Sequence, residues 1–194
     1  MLKNIFINIM FLLRFYFTPF NNYKQNSDLS CVIFSKDRPM QLFATLESYF
    51  KFCNYPTNLI VLYKISNKKL ERSYQELFDE YQNKNIVFIE ESNFKQDLIN
   101  ILKKIQSNYI FFLVDDIIFK SYFSFNDYFS LKYKNKYLLS LRLGKNLSYC
   151  YTKAVKQHLP IFKNINKQFI SWSFYNSELD WKYVFSVDGH VFKT

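Results

Sequence analysis

Two adjacent carboxylates, Asp115 and Asp116, close an apolar run of Tyr, Ile, Phe, Phe, Leu and Val at positions 109–114. Carboxylates and phosphate oxygens are the hard ligands that Mg²⁺ and Mn²⁺ prefer. The pair is therefore suited to hold such a cation against a diphosphate. A solvated turn after a strand looks the same in isolation, so the reading depends on what surrounds it. A second pair, Asp188 and His190, flanks Gly189. In an extended chain, residues two apart point to one face. A carboxylate and an imidazole converging on a cleft can divide two jobs: Asp188 takes a proton from an attacking hydroxyl, and neutral His190 completes a cation's shell. Asp-Gly is equally a hairpin signal, and a polar turn is the alternative.

Glycine usage narrows the chemistry. With only Gly144 and Gly189 in the chain, neither a Walker loop nor a Gly-x-Gly-x-x-Gly dinucleotide cradle can be built. A nucleotide bound here needs another way to neutralise its phosphates, and a carboxylate-held divalent cation is the usual one. The net charge of +10 suits nucleic acid, anionic lipid or phosphorylated small molecules. The lysines are spread, however, and no RNA-recognition motif or zinc-finger spacing occurs, so no nucleic-acid partner is expected. Cys31, Cys53 and Cys150 are odd in number and far apart. That argues against a disulfide framework or a cysteine metal cage, and a reducing cytoplasm fits.

The elements along the rest of the chain must position these groups. Residues 5–17 are apolar but interrupted by Asn8 and Arg14, too short for a span that needs about 20 apolar residues. No Ala-x-Ala cleavage site follows, because the only alanines are Ala44 and Ala154. The segment reads as a helix packed on its own domain or as a peripheral contact with a membrane. Residues 1–27 thus form an apolar segment and linker, and 28–194 one domain. Within the domain, apolar runs at 31–34, 59–63, 86–89 and 109–114 read as strands. Between them, 40–52, 68–81 and 94–105 carry apolar residues at helical spacing. Strand and helix alternate at about the 30-residue βαβ repeat, which predicts an α/β fold with a mostly parallel central sheet flanked by helices. In such sheets, ligands bind at the edge where strands leave the sheet. After Asp116 the pattern loosens, with a helix expected over 122–133 and a strand over 137–143.

With its elements in this order, the chain resembles the glycosyltransferase family 2-like group of GT-A enzymes. The matching pieces are Phe34-Ser-Lys-Asp-Arg-Pro39, Phe112-Leu-Val-Asp-Asp-Ile-Ile-Phe119, Ser140-Leu-Arg-Leu-Gly144 and Ser186-Val-Asp-Gly-His-Val-Phe192. They cover the chain from about Leu29 onward. One departure is that the usual Asp-x-Asp becomes Val114-Asp115-Asp116. Such enzymes also continue well past this length, so a fragment or a minimal form is expected.

The resemblance implies a metal-dependent transferase that moves a sugar, a hexose or a relative, from a nucleotide-sugar to an acceptor hydroxyl, with inversion. It implies Mn²⁺ or Mg²⁺ as cofactor, a UDP-sugar as first candidate donor and a glycan or lipid-linked acceptor. The implied location is the cytoplasm, at the inner face of a membrane. Ser35, Asp37 and Arg38 leave the first strand where the nucleotide would lie, and Lys95 and Asp97 sit in the first turn of a helix that can face it. Asp97 in that place also suits the positive helix end. Asp116 is the implied metal ligand, with Asp115 binding through water or touching ribose. Asp180 is a rival to Asp188 as base. Trp172, Trp181 and Arg142 are the implied acceptor contacts, with core packing the other job open to the aromatics. The alternative function is a non-catalytic or degenerate GT-A-like module that binds nucleotide or glycan.

Overall fold

Leu29–Lys36, apolar at Leu29 and from Cys31 to Phe34, forms β1, buried on both faces at the centre of a sheet. The computed structural model describes residues 27–131 and 138–194. The apolar segment at 5–17 and its expected membrane contact lie outside the described residues. Parallel to β1 run β2 (Asn58–Lys64), β3 (Ile86–Glu90) and β4 (Tyr109–Val114). Among the described residues the main sheet has six strands, in the order β3-β2-β1-β4-β10-β5. The last two are β5 (Leu139–Ser140) and β10 (His190–Lys193), and β10 is antiparallel to both neighbours.

Helices cover both faces. Side chains alternate along the strands, so Cys31, Ile33, Leu59, Val61, Phe111 and Leu113 face one side and Val32, Ile60, Leu62 and Ile110 the other. The first side is filled from α1 (Pro39–Phe52), α2 (Glu71–Glu80) and the short α4 (Phe125–Phe129). The second is filled from α3 (Phe94–Lys104) through Ile101. Pro39 starts α1, where its missing N–H costs nothing. Asn93 caps α3 by accepting from the Gln96 N–H. This is the α/β class, with the mostly parallel sheet flanked by helices, that the sequence predicts.

Beyond Asp116 two expectations need correction. Among the described residues, the helix expected over 122–133 is only Phe125–Phe129. Phe123 is held in a bridge to Cys53, and Ser124 caps the helix start, so the chain cannot turn helical earlier. The strand expected over 137–143 is only Leu139–Ser140 among the described residues. The Ser140 hydroxyl accepts from the N–H groups of Arg142 and Leu143, which turns the backbone out of the ladder. The rest of this region is short hairpins, β6 (Tyr149–Cys150) with β7 (Val155–Lys156) and β8 (Lys163–Asn164) with β9 (Ile170–Ser171), followed by two 3₁₀ turns. A small core of Leu143, Trp181 and Val184 holds it.

Candidate active site

Strand order reverses between β1 and β4: β2 and β3 lie to one side of β1, and β4 lies to the other. Their register pairs Phe34 with Val114. The residues that follow each strand, up to Arg38 on one and Asp115-Asp116 on the other, therefore leave the sheet side by side. The Arg38 Nη1 atom lies 3.4 Å from Asp115 Oδ1 and 3.0 Å from Asp116 Oδ2, bridging the two chain segments. Those carboxylates, Asp116 first, raise the guanidinium pKa further.

The doublet is held from below. Thr45 on α1 donates its hydroxyl to the Asp115 carbonyl at 2.8 Å, and Ser48 accepts from the Phe119 N–H at 3.1 Å. The Asp115 side chain is 6% exposed and that of Asp116 56%, so one carboxylate is sunk in the crevice and its neighbour stands at the lip. Asp116 opens on a cavity of about 670 Å³ whose wall also carries Lys120, Arg142, Asp188 and Gly189. That size suits a small-molecule site.

β10 brings Asp188 to this cavity. Gly189, at φ 78°, donates its N–H to the Phe112 carbonyl and accepts from the Leu141 N–H, which ties the turn to both neighbouring strands. Arg142 then reaches Asp188 at 3.2 Å and Asp180 at 3.9 Å. Gln157 locks Asp180 from the other side: its amide donates to the Asp180 carboxylate at 3.2 Å and accepts from the Asp180 N–H.

No family model matches the chain. Over 190 residues it is 29% identical to bifunctional glycosyltransferase pgtA of Dictyostelium discoideum, taking in 88% of this chain and 24% of that protein. The similarity is to a glycosyltransferase. The chain spans about a quarter of that relative's length. Among solved structures, a mannosyltransferase from Pyrobaculum calidifontis, in complex with GDP-Man and Mn²⁺, matches over 58% of this chain and 35% of that one. Its TM-score is 0.40 at 10% identity.

Arg38, Asp115 and Asp116 meet at the crevice, and Asp116, Arg142 and Asp188 line one cavity. Other expected residues stand elsewhere. Ser35 is buried and shares a hydrogen bond with the Tyr74 hydroxyl at 2.9 Å, so it faces α2 and not a ligand. Asp37 sits at φ 57°, a left-handed geometry that Asp tolerates better than most. Its carboxylate is engaged by the Ser66 hydroxyl and by the N–H groups of Ser66 and Asn67, and the Ser66 hydroxyl does most to lower its pKa. Asp97 accepts from the Ser92 and Asn93 N–H groups at 2.8 Å each and closes the loop before α3. Burial raises its pKa, but the hydrogen bonds from Asn93 and Ser92, with the Lys64 charge, bring it below the ordinary value. Lys95 is exposed in the same turn.

Two expectations are corrected outright. Trp181 is wholly buried, with its indole N–H donated to the Leu147 carbonyl, so it is a core residue that no acceptor can touch. Trp172 is half-buried and packs edge-on against it. His190 is also wholly buried, and neither ring nitrogen has a hydrogen-bond partner among the described residues. Burial first, then the Arg142 charge, lowers its pKa against the opposing pull of Asp188. Among the described residues no three His, Cys, Asp or Glu side chains gather to hold a metal, so His190 is not brought to the doublet as a ligand.

Sequence reasoning missed Thr45 and Tyr74. Tyr74 accepts from the Arg38 N–H at 3.2 Å and so fixes the backbone from which the guanidinium reaches out. Thr45 left a trace: a hydroxyl on the same helical face as Leu42, Leu46 and Tyr49, where an apolar residue is the rule.

Proposed function

We propose that the chain is a GT-A-type glycosyltransferase, moving a hexosyl or related sugar from a nucleotide-sugar to an acceptor hydroxyl with the help of a divalent cation. The observation that carries this reading is the meeting of Arg38, Asp115 and Asp116 at the switch point of the sheet, with Asp116 on a cavity that Asp188 also lines. Similarity to a segment of a bifunctional glycosyltransferase supports the same reaction class. Membership of family 2 rests on the order of the motifs.

The residues fit a cation that is shared with its substrate. In phosphate sites Mg²⁺ is held by one or two carboxylates and takes its other oxygens from phosphate and water, not from a full protein cage. The same oxygen chemistry suits Mn²⁺. Asp116 at the lip would be the direct ligand, with Asp115 supporting it. When bound there, the ion would supply positive charge to the departing diphosphate. The planar fork of Arg38 donates to phosphate oxygens. Asp188 takes the proton of the acceptor hydroxyl as that oxygen attacks the anomeric carbon and the bond from that carbon to the diphosphate breaks. Arg142 holds Asp188 in place. Asp188 serves as base rather than Asp180, because it lines the cavity while Asp180 is sunk against Gln157. One displacement of this kind inverts the anomeric centre, an outcome that rests on analogy with the fold. A UDP-sugar donor, a glycan or lipid-linked acceptor and a place at the cytoplasmic face of a membrane complete the reading.

The test is turnover of a panel of UDP- and GDP-sugars with and without Mn²⁺, comparing the wild type with Asp116→Asn. Turnover that requires Mn²⁺ and is lost in the variant supports the reading. Undiminished turnover in Asp116→Asn removes that residue from the cation's shell. Tight nucleotide binding without turnover makes the chain a binding module.

A further inference from the structure

A buried carboxylate needs a partner, because an unpaired charge away from water is costly. Asp115 faces inward. Its backbone carbonyl is pinned by Thr45, and its side chain is 6% exposed. Arg38 is built the opposite way. Its backbone is fixed, the N–H donated to Tyr74 and the carbonyl accepting from Leu42 at the start of α1, while its side chain is 50% exposed and reaches the doublet through its guanidinium. A single nitrogen of that side chain serves both carboxylates.

Resting on the glycosyltransferase reading above, we propose that Arg38 is an internal stand-in for the cation: it neutralises the doublet until a nucleotide diphosphate draws it away and a divalent ion takes its place. A guanidinium and a divalent cation on the same two carboxylates would repel each other, so the two occupants exclude one another. A diphosphate offers the fork of Arg38 a better, bidentate partner. The exchange leaves Asp115 compensated at every stage. Cation and diphosphate therefore bind cooperatively, and by linkage each raises the other's affinity by the same factor.

Mn²⁺ binding without nucleotide, followed through the paramagnetic resonance signal of the free ion, tests this directly in the wild type, Arg38→Gln and Lys120→Gln. Lys120 lines the same cavity and carries the same charge without touching the doublet. Arg38→Gln is expected to bind Mn²⁺ at least about fivefold tighter than the wild type, a modest coupling by ordinary standards. Lys120→Gln, acting only through a screened field, is expected to shift it by less than about twofold. Calorimetry of UDP and GDP at saturating Mn²⁺ is expected to show weaker binding to Arg38→Gln. Mn²⁺ affinity that is unchanged in Arg38→Gln, or raised equally in both variants, overturns the stand-in role and leaves the transferase reading intact. If neither the wild type nor Arg38→Gln binds Mn²⁺, with or without either nucleotide, the transferase reading itself falls.

Discussion

Residues 29–116 and residues 138–194 both deliver carboxylates to one cavity, but they hold them differently. In the first region, strands β1 to β4 carry parallel registers of five to seven residue pairs, and Asp115 and Asp116 stand where β4 ends. Their place is set by backbone pairing and by Thr45 beneath them. In the second region no strand among the described residues exceeds the four residues of His190–Lys193. There the backbone of Gly189 anchors the turn, but the Asp188 carboxylate is aimed by side chains, through Arg142 to Asp180 and from Asp180 to Gln157. Position written in backbone resists single substitutions; position written in a chain of ion pairs is lost with one residue. The first region thus suits a fixed site for a cation and phosphate, and the second suits a surface whose contacts can vary with the acceptor.

The largest expected effect separates the regions by stability. Trp181 fills the small core beside Leu143 and Val184. Trp181→Ala should cost about 3–5 kcal/mol, the usual range for deleting a buried aromatic. Native-state hydrogen exchange should then show the amides around Leu143, Trp181 and Val184 opening while those of β1, β2 and β4 keep their protection. Equal loss of protection in both regions would erase the distinction.

Next comes Thr45→Val, which leaves the Asp115 carbonyl buried without its donor. A loss of about 1–3 kcal/mol is expected, read from the denaturation midpoint, together with a fall in kcat as the doublet shifts. An unchanged kcat would show that the backbone of β4 alone fixes the doublet. Arg142→Gln is expected to do the reverse. Its ion pairs are partly exposed, so stability should fall by no more than about 1 kcal/mol. Turnover should drop while the affinity for UDP or GDP, which the proposed function seats in the first region, stays level. A matching loss of nucleotide affinity would mean that Arg142 touches the donor instead of steering Asp188.

The same contrast explains what could be read in advance. Apolar runs marked β1 to β4, and Asp115-Asp116 followed from where β4 had to end, because strand length and the βαβ repeat are local properties. Ser35 could have been placed by the same logic: it shares a face with Ile33, which packs toward α1 and α2. Asp97 was readable only as a choice between a cap and a ligand, and three donors from Ser92 and Asn93 decide for the cap. The pairing of Arg142 with Asp188 spans 46 positions. It depends on β10 entering the sheet between β4 and β5, which no periodicity announces. Trp181 was illegible for another reason. An indole that can donate its N–H to a backbone carbonyl is buried without penalty, so residue type alone does not separate a stacking platform from a core.

The smallest expected effect concerns His190, a polar group of the second region without a hydrogen-bond partner among the described residues. The ring is wholly buried, and burial, with the Arg142 charge, holds its pKa below the ordinary value although Asp188 pulls the other way. In the unfolded chain the ring takes a proton near its usual value of about 6.5. Between the folded and unfolded values the unfolded chain binds more protons, so stability is intact above that pH and falls as pH drops toward the folded value. His190→Leu removes this dependence and replaces two unpaired nitrogens with apolar surface, which is close to neutral or mildly stabilising. The variant should match the wild type at neutral pH and gain on it steadily as the solution is acidified, as followed by urea midpoints across that range. A gap that stays constant with pH would mean that the buried ring accepts a proton as readily in the fold as out of it.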